Sequence, residues 1–195
     1  MERLNVDESA KRDSAIRERS VTFDGKTGAE IYFTQPGIDI GNGGYPPAHD
    51  FIGVDKNYPG YDGTNLPFPD ESMKTVHSSH SLEHIENPTE CLREWYRVLK
   101  VGGHMVIAVP HQYLYEKRKK LPSNFNRDHK RFYTLSNLIR EIEEALDPNS
   151  YRIRHAEDLD WKFDYELPPA KHSTGCYEAI VILEKIKKPD WDLDE

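Results

Sequence analysis

Two groups of residues in this chain have the types and spacing to do chemistry. The first is Gly37-Ile-Asp-Ile-Gly-Asn-Gly-Gly44, followed by Phe51-Ile-Gly-Val-Asp55. Glycine has no Cβ, so a short strand that runs into glycines turns tightly and lets a ligand approach the backbone. An acid at the end of the next apolar strand is placed to accept hydrogen bonds from a ribose. Together they predict an adenosine-type cofactor lying across the carboxyl edge of a parallel sheet. The second group is a set of histidines at expected strand ends: His80 and His84 after one strand, His111 just past the next, and His129 in the loop beyond. Histidine suits a general base because its reference pKa lies near neutrality.

These residues need elements to hold them. Gly37–Ile40 reads as the first core strand, after the break at Gln35-Pro36, and Met73–Ser79 as a short buried one. Asn87-Pro88-Thr-Glu90 is a helix start, with Asn87 as N-cap, Pro88 at the first position and Glu90 completing a capping box. Leu92, Trp95, Tyr96 and Leu99 follow at helical spacing, and Gly102-Gly103 is expected to end that helix. The pair Trp95 and Tyr96 reads as core. His104–Val109 is a continuous apolar strand closed by Pro110. A second amphipathic helix follows Thr134, with Leu135, Leu138, Ile139, Ile142 and Leu146 on one face. Tyr151–His155 and Cys176–Glu184 are expected to be strands, paired antiparallel at the sheet edge.

The spacing between Gly44 and Asp55 departs from an ordinary βαβ unit. Pro46-Pro47 and a short strand fill it, leaving no room for a crossover helix. Asp55 is followed almost at once by Tyr58-Pro-Gly-Tyr-Asp62, so the second helix is squeezed out as well. The expected fold class is α/β: a mostly parallel, Rossmann-like sheet trimmed of its first crossover helices. Residues 31–186 form the domain. Residues 1–30 are a polar segment that either closes as a lid or frays, and 187–195 are a charged tail.

Length and composition bound the function. At 195 residues the length predicts one domain with a substantial core. A net charge of -8 argues against nucleic-acid or anionic-membrane binding, which need a surplus of Lys and Arg. The one basic cluster, Lys117-Arg-Lys-Lys120, reads as a solvated helix face or loop. Cys91 and Cys176 have no paired spacing and read as small core residues in a reducing compartment. With no leader-like segment and no apolar run long enough for a bilayer, the expectation is a soluble, cytoplasmic protein.

From Asp62-Gly-Thr-Asn-Leu-Pro-Phe-Pro-Asp70 onward the chain resembles a class I S-adenosylmethionine-dependent methyltransferase of the type 11 kind. Ser79-His-Ser-Leu-Glu-His-Ile85, Leu92-Arg-Glu-Trp-Tyr-Arg-Val-Leu-Lys-Val-Gly-Gly103 and His129-Lys-Arg-Phe-Tyr-Thr134 extend the likeness over residues 37–146. The narrower resemblance is to compact members associated with surface-polysaccharide and sugar-nucleotide assembly. It implies S-adenosylmethionine as cofactor, no metal, and a small polar acceptor such as a sugar or sugar nucleotide. Gly41 and Gly43, with Asp39 in the same motif, would lie beneath the methionine and ribose. Asp55 would hold the ribose hydroxyls, Asp62 and Gly63 would flank the adenine, and Ser79 and His80 would stand near the sulfonium. Asn42 replaces a smaller residue common in the group. The absent first helix removes amides that ordinarily help hold the cofactor carboxylate, so loop amides near Gly43-Gly44, or Arg17 or Arg19, would have to substitute.

Methyl transfer to a hydroxyl needs alignment and a proton acceptor. The expected order of bases is His111, His80, His129. His111 follows Pro110 and should point out of the carboxyl edge, where Tyr113 and Tyr115 would shape an acceptor pocket. Trp161, Phe163 and Tyr165 either line that pocket or form an ordinary surface loop. His84 reads as a turn-holding residue, a role open to His80 too, and His155 and His172 receive no role. His80-Ser-Leu-Glu-His84 also has the H-x-x-E-H spacing of a zinc peptidase family. That chemistry needs a sustained helix and a third ligand, and the window between strand and Pro88 is too short. Two rival functions remain: a methyltransferase-like scaffold that binds without catalysis, and a nicotinamide oxidoreductase. The second is disfavoured by the short glycine-to-acid spacing and the lack of a Tyr-x-x-x-Lys pair.

Overall fold

The computed structural model describes residues 22–23, 26–27, 29–43 and 50–191. Most of the expected lid segment, with Arg17 and Arg19, and likewise Gly44 and the end of the charged tail lie outside the described residues. A short antiparallel pair, β1 (Thr22–Phe23) and β2 (Lys26–Thr27), precedes a 3-10 turn at Ala29–Tyr32. The domain is then built on β3 (Gly37–Ile40), β4 (Ile52–Val54), β5 (Met73–Ser79), β6 (Leu99–Pro110), β7 (Tyr151–Leu159) and β8 (Glu178–Lys185). Their order in the sheet is β4-β3-β5-β6-β8-β7. The first four run parallel, and β8 lies between β6 and β7, antiparallel to both.

Both faces of the sheet centre are covered, which is why β6 reads as a continuous apolar run rather than an alternating one. Met105, Ile107 and Val109 of β6 join Ala179, Val181 and Leu183 of β8 in one core; Val106 and Ala108 join Ile180 and Ile182 in the other. The first core lies beneath α1 (Pro88–Val98) and α2 (Leu135–Ala145), which supply Leu92, Trp95, Val98, Leu138 and Ile142. The second is closed by Tyr32, Leu159 and Cys176. No helix joins β4 to β5, as the spacing predicted, while most of the connection from β3 to β4 lies outside the described residues.

Local signals were less faithful at element ends. The capping box at α1 does not form: the Asn87 side chain accepts no backbone N–H, and its Nδ2 donates to Glu90 Oε2 at 3.4 Å instead. Nor does Gly102-Gly103 cap α1. The helix stops at Val98, Leu99 is already extended, and the glycines bend β6 where its register with β5 shifts. A Cβ on Gly103 would stand 2.8 Å from the Lys74 carbonyl, so that bend needs glycine. At α2 the cap is complete, with Thr134 and Asn137 bonding reciprocally. Cys91 lies in α1 as expected, whereas Cys176 falls just before β8 rather than within it; both are buried. β7 runs four residues beyond its expected end at His155.

Candidate active site

The glycine turn leaves the carboxyl end of β3. Gly41 has φ +72°, and its amide donates to the Val54 carbonyl at 2.7 Å, tying the turn to β4. Space there is already filled by protein. A Cβ on Gly41 would meet Ser81 Oγ at 1.9 Å, and one on Gly53 would meet Asn42 Nδ2 at 1.7 Å. Ser81 Oγ in turn donates to the Ile40 carbonyl at 3.1 Å, joining the turn to the segment after β5. Gly43 (φ +53°) and Gly63 (φ +97°) differ, because among the described residues nothing lies within 4 Å of their Cβ positions. Two of the glycines thus pack the protein against itself, and two face open space.

The acids divide the same way. Asp55 is exposed at the end of β4, its Oδ1 accepting the Lys56 amide at 2.7 Å. Asp39 departs from the expected cofactor set. Only 3% exposed, it meets His77 Nδ1 at 2.6 Å across the β3–β5 pair, beneath the Phe33 ring. Asp62 holds its own loop: its carboxylate accepts the Thr64 amide, the Asn65 amide and Asn65 Nδ2 at 2.7–2.9 Å. These bonds, the Asn65 side chain first, keep its carboxyl below the usual range. Gly63 presents its carbonyl to Tyr61 Oη at 3.1 Å and Cys91 Sγ at 3.4 Å. Burial pushes the Tyr61 phenol up to about 12, so it remains a donor.

Behind this loop Arg97 of α1 donates to the Leu66 and Phe68 carbonyls, to Asp70 and to Glu94. Glu94 accepts the Leu66 amide at 2.7 Å, so α1 carries the loop from both signs of charge. A groove of about 570 Å³ adjoins the loop, lined by Asp62, Thr64, Asn65, Glu90, Arg93 and Arg97 among others. None of the edge glycines or histidines lines it.

At the other end of the edge, titratable side chains crowd together. Ser79 ends β5 opposite Ala108, and His80 follows in the left-handed region at φ +53°, uncommon for a residue with a Cβ. His80 Nε2 lies 3.2 Å from Glu178 Oε1 at the start of β8, and its ring meets Tyr115 and Tyr177 edge-on. Glu178 is 3% exposed and accepts the Tyr177 amide at 2.7 Å. His129 is buried, with Nδ1 on the carboxylate of Glu116. Burial, then the neighbouring His129, holds the His84 imidazole below its ordinary pKa.

His111 does not reach outward as its place after Pro110 suggested. It caps the π turn Gln112–Glu116, its Nδ1 accepting the Tyr113 and Leu114 amides, and its Nε2 lies 3.4 Å from Asp158. Burial lowers its pKa, opposed by that aspartate. Tyr113 is exposed, while Tyr115 joins the aromatic cluster of His80, His129, His172 and Tyr177. Tyr165 and Trp161 are exposed, with Phe163 partly buried against the Leu114–Tyr115–Tyr177 cluster. The basic run Lys117–Lys120 lies in a loop.

Residues 47–107 match the family described as "Methyltransferase domain". A Mycolicibacterium smegmatis protein described as an S-adenosylmethionine-dependent methyltransferase is 23% identical over 92% of this chain and 60% of its own length. A Streptomyces griseus demethylmenaquinone methyltransferase is 50% identical over 24% of this chain and 20% of its own. The chain therefore spans less than two thirds of these curated relatives. A solved S-adenosylmethionine-dependent methyltransferase from Aquifex aeolicus superposes with a TM-score of 0.50 at 16% identity, covering 77% of this chain and 81% of that one, a likeness of fold. Segment and fold alike are similar to those of the class I S-adenosylmethionine-dependent methyltransferases.

The cofactor of that group is S-adenosylmethionine, and the open approaches at Gly43 and Gly63 and the exposed Asp55 carboxylate fit it. What the fold adds beyond the sequence reading is carboxylates. Glu83, Glu116 and Glu178 are each 3% exposed or less, and every one faces a histidine. Glu178 carried a signal, an acid opening the apolar run Ala179–Leu183. Glu116, beside a run of lysines, carried none.

Proposed function

We propose that this protein transfers a methyl group from S-adenosylmethionine to an oxygen or nitrogen of a small polar acceptor, with a sugar or sugar-nucleotide hydroxyl as the leading class. The observation that carries the reading is one sheet edge holding both halves of the reaction. Gly43, Asp55 and Gly63 offer the open approaches of a cofactor site, and His80 stands at the adjoining end of β5. The bound cofactor supplies an electrophilic methyl on a sulfonium. This chain's residues then have to orient the acceptor and take its proton.

His80 is the best-placed base. Its Nε2 is paired with the buried Glu178, a base-and-orienter arrangement that fixes the ring and stabilises its protonated form. Its Nδ1 lies 3.9 Å from Glu83 Oε1, and in this reading the ring takes the proton that an acceptor hydroxyl gives up. His111 and His129 are engaged at Nδ1 with backbone amides and Glu116, which makes them positioning residues in this reading. The lining of Tyr115, Tyr177, His80 and Glu178 favours a polar acceptor with hydroxyl groups over an apolar one.

Calorimetric titration with S-adenosylhomocysteine tests the first half. One-to-one binding at micromolar strength is expected, weakened at least tenfold in Asp55→Ala. A folded protein that gives no heat at several temperatures would overturn the enzyme reading and leave a cofactor-free binding scaffold. With binding in hand, His80→Gln should lower turnover about a hundredfold or more while leaving S-adenosylhomocysteine affinity unchanged.

A further inference from the structure

The turn after β5 and the loop before α2 are fastened to each other. The Lys130 amide donates to the Glu83 carbonyl at 2.8 Å, and Arg131 Nη2 donates to the carbonyls of Ile85 and Glu86 at 2.7 and 3.0 Å. This fastening holds His129 against Glu83 and His84. Glu83 Oε1 lies 3.6 Å from His84 Nε2 and 3.8 Å from His129 Nε2, and the three ligand atoms all fall within 4.8 Å of one another. The two imidazole rings meet edge to face with centroids 4.8 Å apart.

Those spacings are too long for hydrogen bonds, which close at about 2.7–3.2 Å. They are close to what a shared ion imposes. Bonds of about 2.0–2.1 Å in tetrahedral geometry separate neighbouring ligand atoms by roughly 3.4 Å. The two imidazole-to-carboxylate spacings, 3.6 and 3.8 Å, stand a few tenths of an ångström above that value, and the half-buried His84 side chain has room to turn toward His129 and close the set. His129 is also prepared as a ligand: its Nδ1 is held by the buried carboxylate of Glu116, leaving Nε2 directed at Glu83. A carboxylate behind a histidine fixes its tautomer and raises its basicity toward a metal.

We propose that Glu83, His84 and His129 bind one divalent transition-metal ion of the zinc class, with Glu116 as the residue that positions His129. Two histidines and a carboxylate leave a coordination position open, which is the pattern of a catalytic rather than a structural centre. The sustained helix of the zinc peptidases is absent, since only the 3-10 turn Leu82–His84 is present. The third ligand comes instead from a loop more than forty residues downstream. Binding stands on these side chains alone; use of the open position to polarise an acceptor hydroxyl rests on the methyl-transfer reading.

The test uses the full chain, stripped with chelator and dialysed against Zn²⁺, with Co²⁺ as a spectroscopic substitute. Expected are one retained zinc per chain and visible d–d bands from low-coordinate cobalt. Both should be lost in His84→Ala and His129→Gln, and zinc affinity should fall about ten- to hundredfold in Glu116→Gln. The remote His155→Gln should bind normally. Should His129→Gln fail to fold, the more exposed His84→Ala and the isosteric Glu116→Gln still decide the matter. Failure to retain stoichiometric zinc, or retention that none of these variants alters, would overturn the proposal. Because S-adenosylhomocysteine binding is read separately, loss of the metal site alone leaves the methyl-transfer reading standing.

Discussion

The two ends of the sheet's carboxyl edge are built on opposite plans. The glycine end offers backbone shape and exposed acids: among the described residues Gly43 and Gly63 leave room, and Asp55 stands in solvent. The histidine end is dense, with Glu83, Glu116, Glu178 and His129 all nearly inaccessible and tied together across loops. The contrast teaches where each kind of specificity can reside. A cofactor common to a whole fold can be held by a turn and its open approaches. An individual acceptor has to be read by side chains brought from distant positions and locked by burial.

Breaking the glycine end should give the largest effects. Gly41→Ala puts a side chain into a left-handed backbone, costing roughly 1–2 kcal/mol, and displaces Ser81 from the Ile40 carbonyl, about 1 kcal/mol more. A loss of about 2–3 kcal/mol in denaturant unfolding is expected from these terms. Gly43→Ala should cost only the backbone term, since among the described residues no atom lies within 4 Å of the new methyl. Its S-adenosylhomocysteine affinity should nonetheless fall at least tenfold. Unchanged affinity would mean that the open space at Gly43 is not the cofactor's, and the division between packing and binding glycines would collapse.

A smaller perturbation sharpens the comparison. Arg97→Met removes the cation that gathers the Leu66 and Phe68 carbonyls, Asp70 and Glu94, and leaves Glu94 partly buried without it. About 1–3 kcal/mol of stability should go with it. Cofactor affinity should drop roughly tenfold, about 1.4 kcal/mol, through a loosened Asp62–Asp70 loop. Zinc retention at the other end should not move; equal damage to both would show that the two ends are energetically one unit.

The smallest effect is a pH dependence. Burial depresses the pKa of His104 in β6, and of His84 and His111 at the dense end. A histidine held neutral in the fold is protonated first in the unfolded chain. The stability it contributes is present above the unfolded value near 6.5 and declines as pH falls through the lowered folded value. Melting temperature should therefore drop between about pH 7 and about pH 5. His104→Gln, remote from both ends, should flatten part of that slope without changing cofactor affinity.

Much of the frame could be read from the chain, because its signals are local. Gly37–Ile40 and Met73–Ser79 are short apolar runs with breakers on either side, and the structure has strands over those residues. The end of α1 could not be read, since a Gly-Gly pair looks the same as a helix cap and as a bend in a strand. At the carboxyl edge, residue types gave candidates but not the partners that set their roles. Asp39 looked like a ligand acid until β5 set His77 beside it. His111 looked outward until its ring was found accepting two amides of the following turn. The His80–Glu178 pair spans 98 positions, a juxtaposition that only the insertion of β8 creates.

That insertion has a consequence for how the protein is made. β6 is complete at Pro110, but the strand that covers its far edge begins at Glu178. At about 5–20 residues per second, the intervening stretch takes roughly 3–13 s to emerge. Throughout that interval a long apolar strand has one unsatisfied edge, the kind of template on which nascent chains stick to one another. Yield in the cell should accordingly follow the speed of synthesis and the supply of chaperones more closely than the stability of the finished fold.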